Sequence, residues 1–390
     1  MSRSVSRIFL LAVVLVMVVS ACGGTESTTT TEAATTTAGV TTTQAATTTI
    51  EGVTTTAEGP VGAGFKVAYL PCGRVNDQSW SQAGWEGVLA AKESLGLDEA
   101  ALSEAVPAAD IEAAIRDYAS NGFQVILAHC GTFAATAEAV ASEFPDSWFE
   151  LSSVEASNAA NAFAYDPQQQ EGSFVAGVLA GLTTQTGTLG VVAGFDFPAI
   201  TRQVEGFRLG ARFVNPGVEV NVTYIDSWED ASLAKEAALA QIDSGADIIF
   251  IATDQAAIGV FEASTERGTY AIPQYFDQNA LAPEAVLTSV LYNQGASLTE
   301  IIRLAITGEL QDAAVFHPGV AEDVGTLAPF YGLDSVVPDQ AKQCVELMVQ
   351  GIKDGTISVP NTAALGTAGS GGLIDPASIV QGGQHECLGS

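Results

Sequence analysis

The stretch FKVAYLPCGRVNDQSWSQAGWEGVLAAKESLG, residues 65–96, decides the fold. The apolar run FKVAYL reads as a strand, the polar segment after it as a turn, and the remainder as a helix that reaches about Gly96. The same strand–turn–helix order recurs. Ile111, Ile115 and Tyr118 share one face of a helix over Ile111–Asn121, with Gly122 as its C-cap. FQVILA (123–128) leads to a helix over Thr136–Phe144 and then to WFELSS (148–153). A short strand is expected over Glu104–Pro107. A second cycle opens after Asp166 with a helix over Gln170–Gly181. It continues through LGVVAGF (189–195), a helix over Ile200–Phe213, VEVNVTYI (218–225), and a helix over Ala231–Ser244. DIIFIA (247–252), a helix over Gly259–Arg267, the strands AIPQYF (271–276) and VLTSVL (286–291), and a helix over Gly295–Thr307 follow. Strands alternating with helices build parallel sheets covered on both faces. The chain is therefore α/β, with two doubly wound lobes whose strand ends face a cleft.

The N-terminus stands outside this pattern. Arg3 and Arg7 precede an apolar run, Ile8–Ser20, too short to span a membrane, and the run ends VSAC. Residues 1–21 read as an export signal and Cys22 as a lipidated first residue, like a bacterial lipobox. Residues 22–63, with their repeated TTT triplets, bury too little surface to order themselves and read as a tether. The first lobe is assigned to 64–165 plus about 286–315, the second to 166–285 plus about 316–355, and a Gly-rich tail to 356–390. The protein is thus expected to be exported and held by lipid on the outer face of a bacterial cell membrane.

The net charge of −31 becomes −33 if Arg3 and Arg7 leave with the signal, because residues 1–21 contain no acid. Such a field repels phosphate backbones and argues against nucleic acid as a partner. Beyond Cys22 there are four cysteines, Cys72, Cys130, Cys344 and Cys387, an even number that suggests two disulfides in an exported chain. Cys72 and Cys130 each end a strand-like run and the other two share the C-terminal region, so they are paired in that way. The three histidines have no metal-ligand spacing, and no nucleophile elbow, phosphate loop or dinucleotide fingerprint occurs. No enzyme activity, metal or cofactor is expected.

Polar and aromatic residues collect instead at the strand ends: Asn76 and Asp77; His129, Thr132 and Phe133; Asp196 and Phe197; Asp226, Trp228 and Asp230; Thr253 and Asp254; Asp277. Rings that cover a flat face and carboxylates that read its edge suit a small heterocycle. The bland alternative for each Asp is a helix N-cap.

The segment GRVNDQSWSQAGWEGVLAAKESLG (73–96) resembles the opening motif of the basic membrane protein family, the purine-nucleoside-receptor-like substrate-binding lipoproteins of ABC importers. DPQQQEGSFVAGVLAGL (166–182), GFDFPAITRQVEGFRLGA (194–211), SWEDASLAKEAALAQIDSGADIIF (227–250) and YFDQNALAPEAVLTSVL (275–291) continue the resemblance over residues 65–310. It implies a type I periplasmic-binding fold, monomeric, hinged between its lobes, holding a nucleoside for an ABC permease and ATPase. Carried over, Asn76 and Asp77 read the base, Trp85 takes the place of a stacking Phe, and Asp277 meets the ribose. Trp80 holds the other aromatic position of the motif. The family commonly has Lys where this chain has Tyr292, so a free purine base, another heterocycle or a sugar stays open as the ligand. A membrane-tethered sensor is the alternative role. Residues five apart on a helix point about 140° from each other, so Trp80 and Trp85 cannot face one another. Trp85 is read as one wall of the site, with Phe197 or Trp228 opposite it.

Overall fold

The run FKVAYL forms β1 (Lys66–Tyr69), whose Val67, Ala68 and Tyr69 are fully buried, as a strand covered on both faces requires. The structure, a computed structural model, describes residues 60–361 and Cys387. The export signal, Cys22 and most of the Thr-rich segment lie outside the described residues, as does most of the tail.

After β1 come α1 (Trp80–Leu95), β2 (Glu99–Leu102), α2 (Ile111–Ser120), β3 (Val125–Ala128), α3 (Ala134–Ala141), β4 (Trp148–Ser152) and β5 (Ala162–Tyr165). The short strand expected over Glu104–Pro107 lies earlier, at β2, where Glu99 pairs with Lys66 and Leu102 with Tyr69. Its sequence, EAAL, has weak intrinsic strand preference, and only pairing at the sheet edge makes it extended. The fold also begins before Gly64. The N–H of Gly62 donates to Leu95 O at 2.9 Å, tying the incoming chain to the end of α1.

The second lobe holds α4 (Gln169–Thr183), β6 (Thr188–Ala193), α5 (Pro198–Val214), β7 (Glu219–Tyr224), α6 (Ala231–Asp243), β8 (Ile248–Ala252), α7 (Ala257–Arg267) and β9 (Tyr270–Ile272). Its sheet runs in the order β7-β6-β8-β9, all parallel. AIPQYF does not form one strand. Pro273, which lacks an N–H for the ladder, separates β9 from β10 (Gln274–Tyr275), and β10 leaves for a different sheet. There it joins β11 (Val290–Tyr292). The chain then forms α8 (Gln294–Thr307), packed on α1, and β12 (Val315–Phe316), which adds to the first sheet beside β5. It ends with β13 (Val324–Leu327) and α9 (Asp339–Lys353), the latter packed on α4. The first sheet is therefore β12-β5-β4-β3-β1-β2, and a small sheet β10-β11-β13 lies where the chain changes lobe.

The chain changes lobe three times: after β5, between β10 and α8, and after β12. At the first crossing the Arg202 guanidinium of α5 donates twice to the buried Asp166 carboxylate, and His317 Nδ1 lies 2.9 Å from Asp166 O at the third. At the second crossing the bonds run through glutamines. Tyr292 Oη donates to Gln274 Oε1 (2.9 Å) and Gln274 Nε2 to Gln203 Oε1 (2.9 Å). Gln203 Nε2 in turn donates to Gln169 Oε1 (2.7 Å), and Gln169 Nε2 to the Tyr275 hydroxyl (2.9 Å).

Some residues of the region read as a glycine-rich tail belong to the fold. Ile357 and Val359 are buried in the second lobe's core, and Cys387 is bonded to Cys344 of α9. Helices α4 and α5 approach so closely that a Cβ on Gly177 would sit 2.1 Å from Phe207 O, and one on Gly210 would sit 2.0 Å from Phe174 O. Both partners are backbone atoms and cannot swing aside. Gly177→Leu is therefore expected to lower unfolding free energy by about 1–3 kcal/mol or more, measured by urea denaturation. A neutral result would mean that the helices separate freely.

Candidate functional site

Asp77 lies in the turn between β1 and α1, where the first N–H groups of a helix have no internal partners. Its Oδ1 accepts from the N–H of Ser79 (2.9 Å) and Gln82 (3.0 Å), and its Oδ2 from the N–H of Ser81 (3.1 Å). Asp77 is thus the cap of α1 rather than a free edge-reading carboxylate. Asn76 beside it is exposed.

The cap fixes the direction of Trp80, the first residue of α1. The Trp80 ring stacks on His129 with centroids 4.2 Å apart and planes at 11°, and its Nε1–H donates to His129 O at 3.0 Å. His129 is itself clamped. Its Nδ1 lies 2.8 Å from Glu150 Oε1 and its Nε2 lies 3.0 Å from Gln294 Oε1, and all three side chains are buried. The Cys72–Cys130 disulfide ties the loop before α1 to the loop after β3. Tyr69, at the end of β1, donates to Ser81 O at 3.1 Å, and burial together with Glu150 raises its hydroxyl pKa well above the ordinary value.

The second lobe meets this corner directly. Ser79 Oγ donates to Asp254 Oδ1, Gln278 Nε2 donates to Gln78 O at 3.1 Å, and the Tyr275 ring stands edge-on to Trp80 at 6.1 Å. Further out, Trp228 packs on Phe195 at 5.0 Å and on Phe197 at 6.0 Å. Gly194 permits this, because a Cβ there would lie 2.3 Å from the Trp228 ring. Among the described residues no cluster could hold a metal ion, and no helix is long and apolar enough to cross a membrane.

Several sequence expectations change here. Trp80, not Trp85, packs against the apolar cores of both lobes; Trp85 lies against Tyr69 in the first lobe, with centroids 6.0 Å apart. Trp80 opens α1, as its place in the motif suggests, and that position decides which ring faces the other lobe. Phe133 is turned into the first lobe's core by a short 3-10 turn, Gly131–Phe133. Tyr292 is buried, and its hydroxyl is spent on Gln169 O and Gln274 Oε1. Asp277 is exposed and accepts from the Tyr331 hydroxyl and the Asn279 N–H. Phe197, Trp228 and Asp254 stay partly exposed at the strand ends of the second lobe. The sequence reading misses Ser79, Tyr275, Gln294 and Glu150: the first three lie within two positions of Trp80, Asp277 and Tyr292, whereas Glu150 carries no local signal.

The sequence profile described as ABC transporter substrate-binding protein PnrA-like matches residues 65–363. A purine-binding protein of Brucella abortus (strain 2308) is 28% identical over 295 residues, covering 75% of this chain and 82% of the relative. The transcriptional activator protein med of Bacillus subtilis (strain 168) is 28% identical over 272 residues, covering 69% and 84%. Among solved structures, an ABC transporter solute-binding protein of Aeropyrum pernix K1 aligns with a TM-score of 0.68 at 21% identity, over 76% of this chain and 93% of that one. The fold is that of type I periplasmic binding proteins.

Burial and the facing Asp77 push the Asp254 carboxyl up to about 7. A carboxyl whose pKa is raised on folding contributes its full stability below the unfolded value, near 4, and loses it as pH rises through the folded value. Wild type minus Asp254→Asn, compared by denaturation across pH 4–8, should therefore show the wild type losing ground up to about pH 7 and levelling off above it. A pH-independent difference would place Asp254 in water instead.

Proposed function

The chain belongs to the PnrA-like, or Bmp, family of ABC transporter substrate-binding proteins, and we propose that its solute is nucleoside-like, with a purine nucleoside favoured. Membership makes it an extracytoplasmic component that binds a small solute and performs no turnover. In the proposed complex the Trp80 ring covers one face of a flat heterocycle. Trp228 and Phe197 cover the other when the lobes close, and Asp254 meets its edge.

The observation that carries this reading is the setting of Trp80. Its plane is fixed by His129 and its Nε1 is already bonded, and it stays partly exposed, so the surface it presents needs no reorganising. A wall ordered in advance costs little entropy on binding. The purine-binding relative supports the choice of heterocycle. Capture would feed an ABC permease and ATPase, with lipid on Cys22 holding the protein at the membrane. The similarity to a transcriptional activator favours a second reading, in which the same cleft senses a solute.

Mass spectrometry of the solute that copurifies with the protein tests the class directly. With a panel of nucleosides and bases, binding should change tryptophan fluorescence. A ligand at 100 times its Kd should stabilise the fold by about 2.7 kcal/mol. Trp80→Ala should weaken that binding about ten-fold or more, since lost stacking and burial exceed about 1.4 kcal/mol. Trp85→Phe should leave affinity within about two-fold, because its ring lies on Tyr69. A panel without a single binder would remove the nucleoside-like assignment.

A further inference from the structure

The corner between the lobes joins aromatic rings to a carboxylate that rests on the N-terminus of α1 and, among the described residues, has no cationic side chain against it. Asp254 follows β8 and stands against the first turn of α1, where it accepts from Ser79 Oγ and the Trp80 N–H. It remains partly exposed. The charges that face it are acidic: Asp77 from the first lobe and Glu229 from the second. Asp77 is stabilised by its three N–H donors, so it needs no ligand. Arg202 of α5 lies buried against Asp166. Tyr275, whose hydroxyl is bonded to Gln169, also faces Asp254.

The rings have a matching electrostatic character. Trp80 and Tyr275 lie beside this carboxylate, and Trp228, whose backbone O accepts from the Ala256 N–H of the same loop, carries Phe195 and Phe197 on its ring. Each aromatic face carries the negative end of a quadrupole, which attracts a cation and is indifferent to a neutral solute. Closing the lobes over a neutral solute leaves the Asp254 charge offset only by the Ser79 hydroxyl and the Trp80 N–H, against the repulsion of Asp77 and Glu229, and closing them over an anion adds to that repulsion. A cation relieves both. The overall charge of −31 draws solutes of the same kind toward the protein.

We propose that the solute carries a positive charge on a ring or exocyclic nitrogen, protonated or quaternary, and that Asp254 is the residue that selects for it. The proposal rests on the reading that a flat heterocycle occupies the interlobe cleft. The upward shift of the Asp254 carboxyl has the same origin, since burial and Asp77 disfavour its charge until a cation supplies the balance.

Calorimetry on the purified full-length chain at pH 7 tests this with two matched pairs: adenosine against 1-methyladenosine, and nicotinamide against 1-methylnicotinamide. Within each pair the rings are of similar size and the methylated member is cationic. The cation should bind about ten-fold more tightly, and Asp254→Asn should reduce that preference to about two-fold or less. A measurement on the unmodified chain guards against a misfolded variant. 1-Methylnicotinamide keeps its charge at every pH, so its affinity should rise from pH 5 to pH 8 as Asp254 loses its proton. Equal affinities within both pairs, or a flat pH profile, would overturn the proposal and leave the nucleoside-like reading standing. If neither nucleoside binds while the nicotinamide pair shows the cation preference, that reading falls and the charge assignment holds. If none of the probes binds, both fall.

Discussion

The structure depends on how it satisfies polar groups where the chain passes between two sheets. Backbone and side chains at a crossing are buried without belonging to either ladder, and each unmet donor or acceptor there costs about 1–3 kcal/mol. The protein meets this with a connected chain of bonds through Gln169, Gln203, Gln274, Tyr275 and Tyr292. An amide both donates and accepts, so glutamines can pass a network from one element to the next without introducing charge. Tyr275 ends that chain and turns its ring toward Trp80, so the bonded crossing and the Trp80 corner share a residue. The Asp166–Arg202 pair serves the first crossing in the same way.

The cleft follows from a second economy. One carboxylate, Asp77, satisfies the start of α1 and so fixes where Trp80 points. His129, held by Glu150 and Gln294, fixes the plane in which the Trp80 ring lies. Gln294 opens α8 immediately after the hinge strand β11. The crossing and the Trp80 ring are therefore joined by contiguous bonded side chains. Asp254 is the counterpart on the second lobe. It uses the same helix start as its docking point, which brings two carboxylates to one corner and makes that corner sensitive to charge.

Much of the fold was legible because its signals are local. FQVILA and DIIFIA are continuous apolar runs that only a strand covered on both faces explains, and the helices between them show spacing or small residues on their buried faces. The exceptions were also local in origin. EAAL has little strand preference of its own, and the break in AIPQYF depends on which sheet Gln274 and Tyr275 join. α9 carries its apolar residues on one side, and it lies beyond the last strand–helix alternation that the sequence reading follows. Within the site, the residues near strand ends were legible as a set. Which of them faced outward was not: Phe133 and Tyr292 sit beside exposed positions, Phe133 buried by a short turn and Tyr292 by its place in β11.

The sequence by itself determined the α/β alternation, the two lobes and the family, because these rest on periodicity and motif order along the chain. It also supplied the candidates: the tryptophans, the aspartates and the cysteines. The tertiary structure decided their roles. It made Asp77 a helix cap, Trp80 the shared ring between the lobes, Tyr292 a hinge bond and Asp254 the carboxylate that crosses the cleft. The physical reason is that burial, charge compensation and hydrogen-bond partners are set by residues distant in sequence. Ser79 and Asp254 are 175 positions apart, and only folding brings the carboxylate to the helix that receives it.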